Sequence, residues 1–392
     1  MFAVLTRSRK RIARGLALAS ALFLAACDGL PVPSLGGGGG PQIDPTAAVP
    51  VALLIPRSDA GAAPVARALE NAARLAVANL DGARIELRVY DTAGDPAQAA
   101  AMAQTAVDNG AKIILGPLFA EAAVEASKAV SDEGVNVLAF SNNTTIAGGN
   151  LFILGDTFQS AANRLVTFSA RQGRRNALIL QSNDVAGSLG RQAIESAAAR
   201  AGVTVAGAES YTLSREGVYA AAQATAARAG AADSIYITTP AAHEALPLLL
   251  QLLPENGVRP GQIQYIGLSS WEVQPQIFRL PGAEGAWFTV ADPGASQAFA
   301  ARYQSAYGES PHPLAGLGFD GIAAIGALVS AGRSNALTGA ALTQASGFKG
   351  SGGIFRLLPG GTNEKGLAVA TIQNQRVTII DPAPKAFGTA GF

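Results

Sequence analysis

At 392 residues, with 49% apolar and only 15% charged content, the chain exceeds the length of a single core and is too apolar to remain disordered, so two globular α/β domains are expected. Five basic residues (Arg7, Arg9, Lys10, Arg11 and Arg14) and no acid fall in the first 26 positions; the remainder holds 24 basic and 28 acidic residues, a net of −4, without a Lys/Arg cluster that would draw nucleic acid. A lone cysteine, Cys27, excludes an internal disulfide, and two histidines in separate contexts, His243 and His312, supply no metal site.

In chain order, residues 1–26 combine the basic start, an apolar core at 16–23 that is too short to span a bilayer, and small residues at Ala25 and Ala26, the layout of a secretory signal. Leu24, Ala25, Ala26 and Cys27 resemble a bacterial lipobox, which implies that Cys27 is lipidated and anchors the mature protein firmly to a membrane. The sequence does not choose between inner and outer membrane. Residues 27–50 then read as the lipidated cysteine and a disordered Gly/Pro tether, with a flexible span of ~25 Å and an extended limit of ~70 Å.

Beyond the tether, residues 51–55 form a buried-type strand, 61–80 an amphipathic helix and 84–90 an alternating strand. Asp95 before Pro96 is a helix start, because the carboxylate caps free amides and proline is preorganised at the first helical position. Apolar runs at 112–115 and 135–140 flank an alanine-rich helix with Glu121, Glu125, Lys128 and Asp132 on one face, which makes a βαβ unit with parallel strands. Ligands in such sheets meet the loops at the carboxyl ends of strands, here 118–121 and 141–145. After 151–154 the alternation restarts with strands at 176–181, 203–211, 233–238 and 262–268 and helices at 187–201, 215–229 and 241–253. Residues 287–290 are followed by helices at 296–307 and 314–331, and 353–357, 366–372 and 375–380 read as antiparallel strands. Two alternating runs suggest two doubly wound lobes.

The order of these elements, with 91–96, Gly-Pro-Leu at 116–118, Phe-Ser-Asn at 140–142, Ser-Ala-Tyr-Gly-Glu-Ser-Pro at 305–311 and Gly-Phe-Asp-Gly at 318–321, resembles the type I periplasmic binding proteins of the leucine/isoleucine/valine-binding kind over nearly all of residues 51–380. The resemblance implies two Rossmann-like lobes joined by three crossings. Lobe 1 would comprise 51–155 plus 290–336 and lobe 2 would comprise 156–289 plus 337–380, with a loose tail at 381–392.

Candidate cleft residues are Arg57, Ser58, Phe119, Ala120, Ser141, Asn142, Asn143, Thr145, Asp184, Thr239, Ser269 and Trp271, because each falls at or just after a turn that closes a strand. All the polar ones are also ordinary turn and capping residues. Relative to amino-acid binders of the family, Ala120 stands where a hydroxyl is expected and Ala186 where a tyrosine is common. The turn at 267–271 offers no acid for a ligand ammonium. The Asn143 backbone and the Thr145 side chain match carboxylate-holding positions.

Within the fold, 91–92, 116–119 and 140–142 are most similar to the lipoproteins that activate penicillin-binding proteins. That likeness implies a non-catalytic module whose partner is a membrane-anchored peptidoglycan synthase. The alternative is a substrate-binding lipoprotein of an ABC importer, with the permease as partner and an amino acid or related small polar solute as ligand. No nucleophile elbow, Walker loop or His-rich cluster points to an enzyme, and no motif calls for a cofactor.

Overall fold

The computed structural model describes residues 40–388. The signal-like segment, Cys27, the tether up to residue 39 and residues 389–392 lie outside the described residues.

The first sheet arises from β1 (Val49–Ile55), α1 (Ala63–Ala78), β2 (Ile85–Asp91), α2 (Pro96–Asp108), β3 (Ile113–Leu115), α3 (Ala120–Ala129), β4 (Val137–Ala139) and β5 (Leu151–Ile153). Its strand order is β2-β1-β3-β4-β5, all parallel. β1 is apolar without alternation because both of its faces are covered: Val51, Leu53 and Ile55 enter one core and Ala52 and Leu54 the other. On the second face Ala99, Ala103 and Ala106 of α2 meet Ala122, Ala123 and Ala126 of α3, so the alanine content serves close helix approach. Asp95 caps α2 as expected, accepting the Gln98 N–H at 2.7 Å, with Pro96 at the first helical position.

The second sheet begins with α4 (Phe158–Arg171), β6 (Asn176–Ser182), α5 (Val185–Ala201), β7 (Thr204–Tyr211), α6 (Arg215–Arg228), β8 (Ser234–Ile237), α7 (Ala245–Glu255), β9 (Gln264–Gly267) and β10 (Trp287–Val290). The chain then returns to the first lobe with α8 (Pro293–Tyr307), α9 (Ala315–Ser330), α10 (Gly339–Leu342), β11 (Phe348–Gly350), β12 (Gly353–Leu357) and β13 (Asn363–Lys365). It closes the second sheet with β14 (Ala368–Gln373) and β15 (Arg376–Asp381), giving the order β15-β14-β10-β9-β8-β6-β7. β10, β9, β8, β6 and β7 are parallel, and the β14–β15 hairpin is antiparallel. α9 crosses α1 at backbone distance: a Cβ on Gly318 would lie 2.3 Å from the Leu69 carbonyl oxygen, so only glycine fits.

Three boundaries differ from those read in the sequence. Residues 40–50 are not tether: Ile43 is buried in the first core, its N–H donates to the Ser334 carbonyl at 2.8 Å, and β1 opens at Val49. Residues 337–357 belong with the first lobe, because Leu337, Leu342, Phe348, Phe355 and Leu357 are buried in its core; β12 joins β11 and β13 in a separate three-stranded sheet rather than pairing with β14. The segment after β15 is tied down: Ala383 is buried in the second core, Lys385 pairs with Asp292, and the Arg356 guanidinium lies 4.5 Å from the Phe387 ring centroid. No described helix is long and apolar enough to cross a membrane.

Candidate functional site

β5 ends at the carboxyl edge of the first sheet, and 154–157 carry the chain from there into α4; β10 ends at the carboxyl edge of the second sheet, and 291–292 carry it back into α8. A third connection runs from β13 to β14. Both carboxyl edges therefore border the crossings, and the loops that follow β1, β3, β4, β6, β8 and β9 lie at the edges where ligands of open α/β sheets bind.

The crossings are bound to one another. Asn363 donates from Nδ2 to the Ile153 and Gly155 carbonyls at 2.9 and 2.8 Å, and the Asp292 N–H donates to the Gly352 carbonyl at 2.9 Å. Lys365 Nζ lies 2.6 Å from Asp156 Oδ1. The Asp156 side chain is 84% exposed, whereas Asp320 is buried and accepts the Ser351 N–H at 2.6 Å.

Lys365 is the main cause that holds the Asp156 carboxyl below its ordinary range. Burial alone would lower the Lys365 ammonium, but Asp156 and Asp320 outweigh it and raise it; burial pushes Asp320 up. The depressed Asp156 value contributes stability that is complete above its unfolded pKa of about 3.9 and lost as pH falls through the lower folded value. The raised Lys365 value contributes stability that is complete below about 10.4 and lost as pH rises through the folded value. Urea unfolding followed from pH ~2 to ~7 should show a shallower acid limb in Asp156→Asn than in the native protein, and a small difference, because exposure screens the pair.

In the first lobe the candidates fall into two groups. Asp91 organises the loop after β1: its Oδ1 accepts the N–H groups of Arg57 at 2.8 Å, Ser58 at 3.3 Å and Ala93 at 2.9 Å. Burial would raise its carboxyl, but those bonds prevail and leave it below the ordinary value. Arg57 itself pairs with Glu70 at 3.2 Å. Phe119 precedes α3 and is 42% exposed, while Ala120 opens the helix without a side-chain cap, so its first N–H groups have no side-chain acceptor from the cap residue. Ser141 is buried and its Oγ accepts the Asn143 N–H at 3.1 Å; Asn143 Oδ1 accepts the Thr145 N–H at 3.0 Å and its hydroxyl at 2.7 Å. The two groups expected to grip an anion, the Asn143 N–H and the Thr145 hydroxyl, thus serve the turn, and Asn142 remains exposed.

In the second lobe, Asp184 caps α5 by accepting the Gly187 N–H at 2.7 Å and also accepts the Ser182 hydroxyl at 2.8 Å. Thr239 is buried against the Tyr211 hydroxyl, and its carbonyl accepts the Ser269 hydroxyl at 3.3 Å. Trp271 does not reach the cleft. Its side chain is fully buried, stacked on Phe288 with ring centroids 6.0 Å apart, and seated against Gly267, where a Cβ would meet the indole at 2.3 Å. A large apolar residue four positions beyond the end of a buried strand folds back onto that strand's own core, because burial of the indole outweighs exposure at a rim.

Val185, following β6, and Val273, following β9, are 76% and 63% exposed at the carboxyl edge of the second sheet. Sequence reasoning passed over Asp156, Lys365 and the exposed Glu272, whose carboxylate accepts the Ser270 hydroxyl at 3.3 Å. Among the described residues no group of His, Cys, Asp and Glu is arranged to hold a metal.

A model of the periplasmic binding protein family matches residues 48–376. The chain belongs to this family. The periplasmic binding protein has the type I fold, with neighbours among solved structures that share it. One is a branched-chain amino acid ABC transporter candidate of Rhodospirillum rubrum, 20% identical, with a TM-score of 0.74 over 85% of this chain and 100% of the other. A second is an ABC transporter substrate-binding protein of Desulfitobacterium hafniense in complex with Leu, 18% identical, with a TM-score of 0.61 over 85% and 100%. A third is a solute-binding protein of R. palustris in complex with benzoate, 17% identical, with a TM-score of 0.57 over 88% and 99%. At these identities the likeness is one of fold. No curated protein matches this sequence.

Proposed function

We propose that this periplasmic binding protein is a solute receptor, held at a membrane through Cys27, that closes its two lobes around a small polar solute and presents it to an ABC importer. The observation that carries the reading is the pair of carboxyl strand edges that border the crossings, with the uncapped start of α3 following β3 and the solvent-exposed carboxylate of Asp156 following β5. The amides at the start of α3 suit a carboxylate, and the exposed carboxylate of Asp156, tied to Lys365 through one oxygen, suits an ammonium. Asp156 and Glu272 compensate for the acid that is absent from the turn at 267–271. Alanine at position 120 and the exposed Phe119, Val185 and Val273 favour a solute with an apolar body.

A second reading, in which the module regulates a peptidoglycan synthase by contact, is favoured by one specific observation. The side chains of Asp184, Thr239 and Asn143 are committed to local bonds, so each must exchange an existing partner to bind solute. Calorimetric titration with amino acids, aliphatic and aromatic carboxylates and small amides separates the two. Micromolar binding of any one supports the receptor; absence of binding, joined with recovery of a synthase by crosslinking in cells, supports the regulator.

A further inference from the structure

Along the outer flank of α4, where it lies beside α5 and the start of β6, a groove of about 480 Å³ opens to solvent. None of the cleft loops lines it. Three guanidinium groups do, those of Arg171, Arg175 and Arg200, together with Asn163 and Thr167. Arg171 is paired with Asp381 at 2.5 Å, and Glu364 at the groove edge is taken by Arg356 at 2.5 Å. Arg200 donates from Nη1 to the Ser196 hydroxyl at 2.7 Å and from Nη2 to Asn163 Oδ1; Arg175 donates from Nη1 to the Ala201 carbonyl at 3.4 Å. The guanidinium groups of Arg175 and Arg200 form no ion pair among the described residues; the Arg175 backbone N–H donates to the Asp233 carboxylate at 2.7 Å.

Arg171 and Arg200 stand in the last turns of α4 and α5, so part of their charge answers the carbonyl ends of those helices. The three acceptors of Arg175 and Arg200 do not exhaust their ten guanidinium N–H groups, because each arginine carries five. The surplus of donors faces a volume within the range of small-molecule sites. A phosphate presents three oxygens and up to two charges to several forks at once, one more oxygen and more charge than a carboxylate offers.

We propose that this groove binds a phosphate group, carried either by a soluble phosphate ester or by a lipid headgroup, independently of any solute in the cleft. The test uses the full chain with Cys27→Ser, so that no acyl anchor partitions into vesicles by itself. Inorganic phosphate and glycerol 3-phosphate are titrated by calorimetry, and cosedimentation is measured with vesicles of phosphatidylcholine alone and with added phosphatidylglycerol. Arg175→Ala/Arg200→Ala is compared with Arg191→Ala, an exposed arginine paired with Glu195 that does not line this groove.

The expected result is binding of at least one probe, weakened roughly tenfold or more in the double variant and less than about twofold in Arg191→Ala. Binding of the soluble probes assigns the source to a soluble ester, and binding only to phosphatidylglycerol vesicles assigns it to lipid. Equal losses in the double variant and in Arg191→Ala, no loss in either, or no binding of any probe by the native chain would each overturn the proposal. Thermal unfolding of the double variant serves as a fold check; if it unfolds early, Arg175→Gln and Arg200→Gln singly, each expected to weaken binding severalfold, replace it.

Discussion

Trp271→Ala is expected to lower the unfolding free energy by about 3–5 kcal/mol, a loss of the size found for deleting a buried aromatic from a core. The indole is fully buried among the residues of the second lobe's larger core, stacked on Phe288 and seated on Gly267 of β9. Truncation removes this contact area and leaves a cavity beside the main chain of a central strand, where relaxation is restricted. Chemical denaturation followed by far-ultraviolet circular dichroism measures the effect. Trp271→Phe should recover part of the loss. A change below ~1 kcal/mol for the alanine variant would mean that the indole is exposed at the cleft rim instead.

A comparable loss, about 3–5 kcal/mol, is expected for Arg164→Ala. Arg164 is 3% exposed on α4 and reaches across to the last strands. Its Nε donates to the Leu367 carbonyl at 2.7 Å and its Nη2 to the Asp381 and Pro382 carbonyls at 3.3 and 3.2 Å, while Nη1 lies 2.9 Å from the Asp381 carboxylate. Burial lowers the guanidinium from its ordinary value, partly offset by Asp381, and the group remains charged because that ordinary value is so high. Its removal strands three carbonyls at the point where the third crossing enters β14. Asp381→Asn should cost less, since the carbonyl bonds of Arg164 persist and Arg171 loses only an exposed partner. Equal costs for the two variants would show that the ion pair, not the carbonyl bonds, dominates.

The elements whose pattern is local were legible from the residues. β1 reads as a buried strand because both of its faces are covered, β6 reads as a strand over 176–181, and Asp95-Pro96 marks a helix start that the structure contains. The short strands β11 and β13 were not, because Phe348–Gly350 and Asn363–Lys365 lack the apolar run that marks the equally short β3, β4 and β5, and neither was the seating of Ile43, whose partner Ser334 is distant in sequence. The cleft was half legible for a different reason. Ser, Asn, Asp and Thr after a strand are the residues a turn needs as well as those a ligand needs, and in Asn143, Thr145 and Asp184 the turn holds the side chain. Asp156 and Lys365 meet across 209 positions, and no spacing rule joins them.

Lobe closure around a solute is the central claim, and the distance between the lobes is its direct measure. With Cys27→Ser, spin labels at Lys128 on α3 and Gln192 on α5, both exposed and outside the cleft, report that distance by pulsed dipolar spectroscopy. Addition of a saturating solute that binds by calorimetry should shift the distance distribution to a shorter, narrower peak. A distribution that is unchanged at saturation would contradict the receptor account.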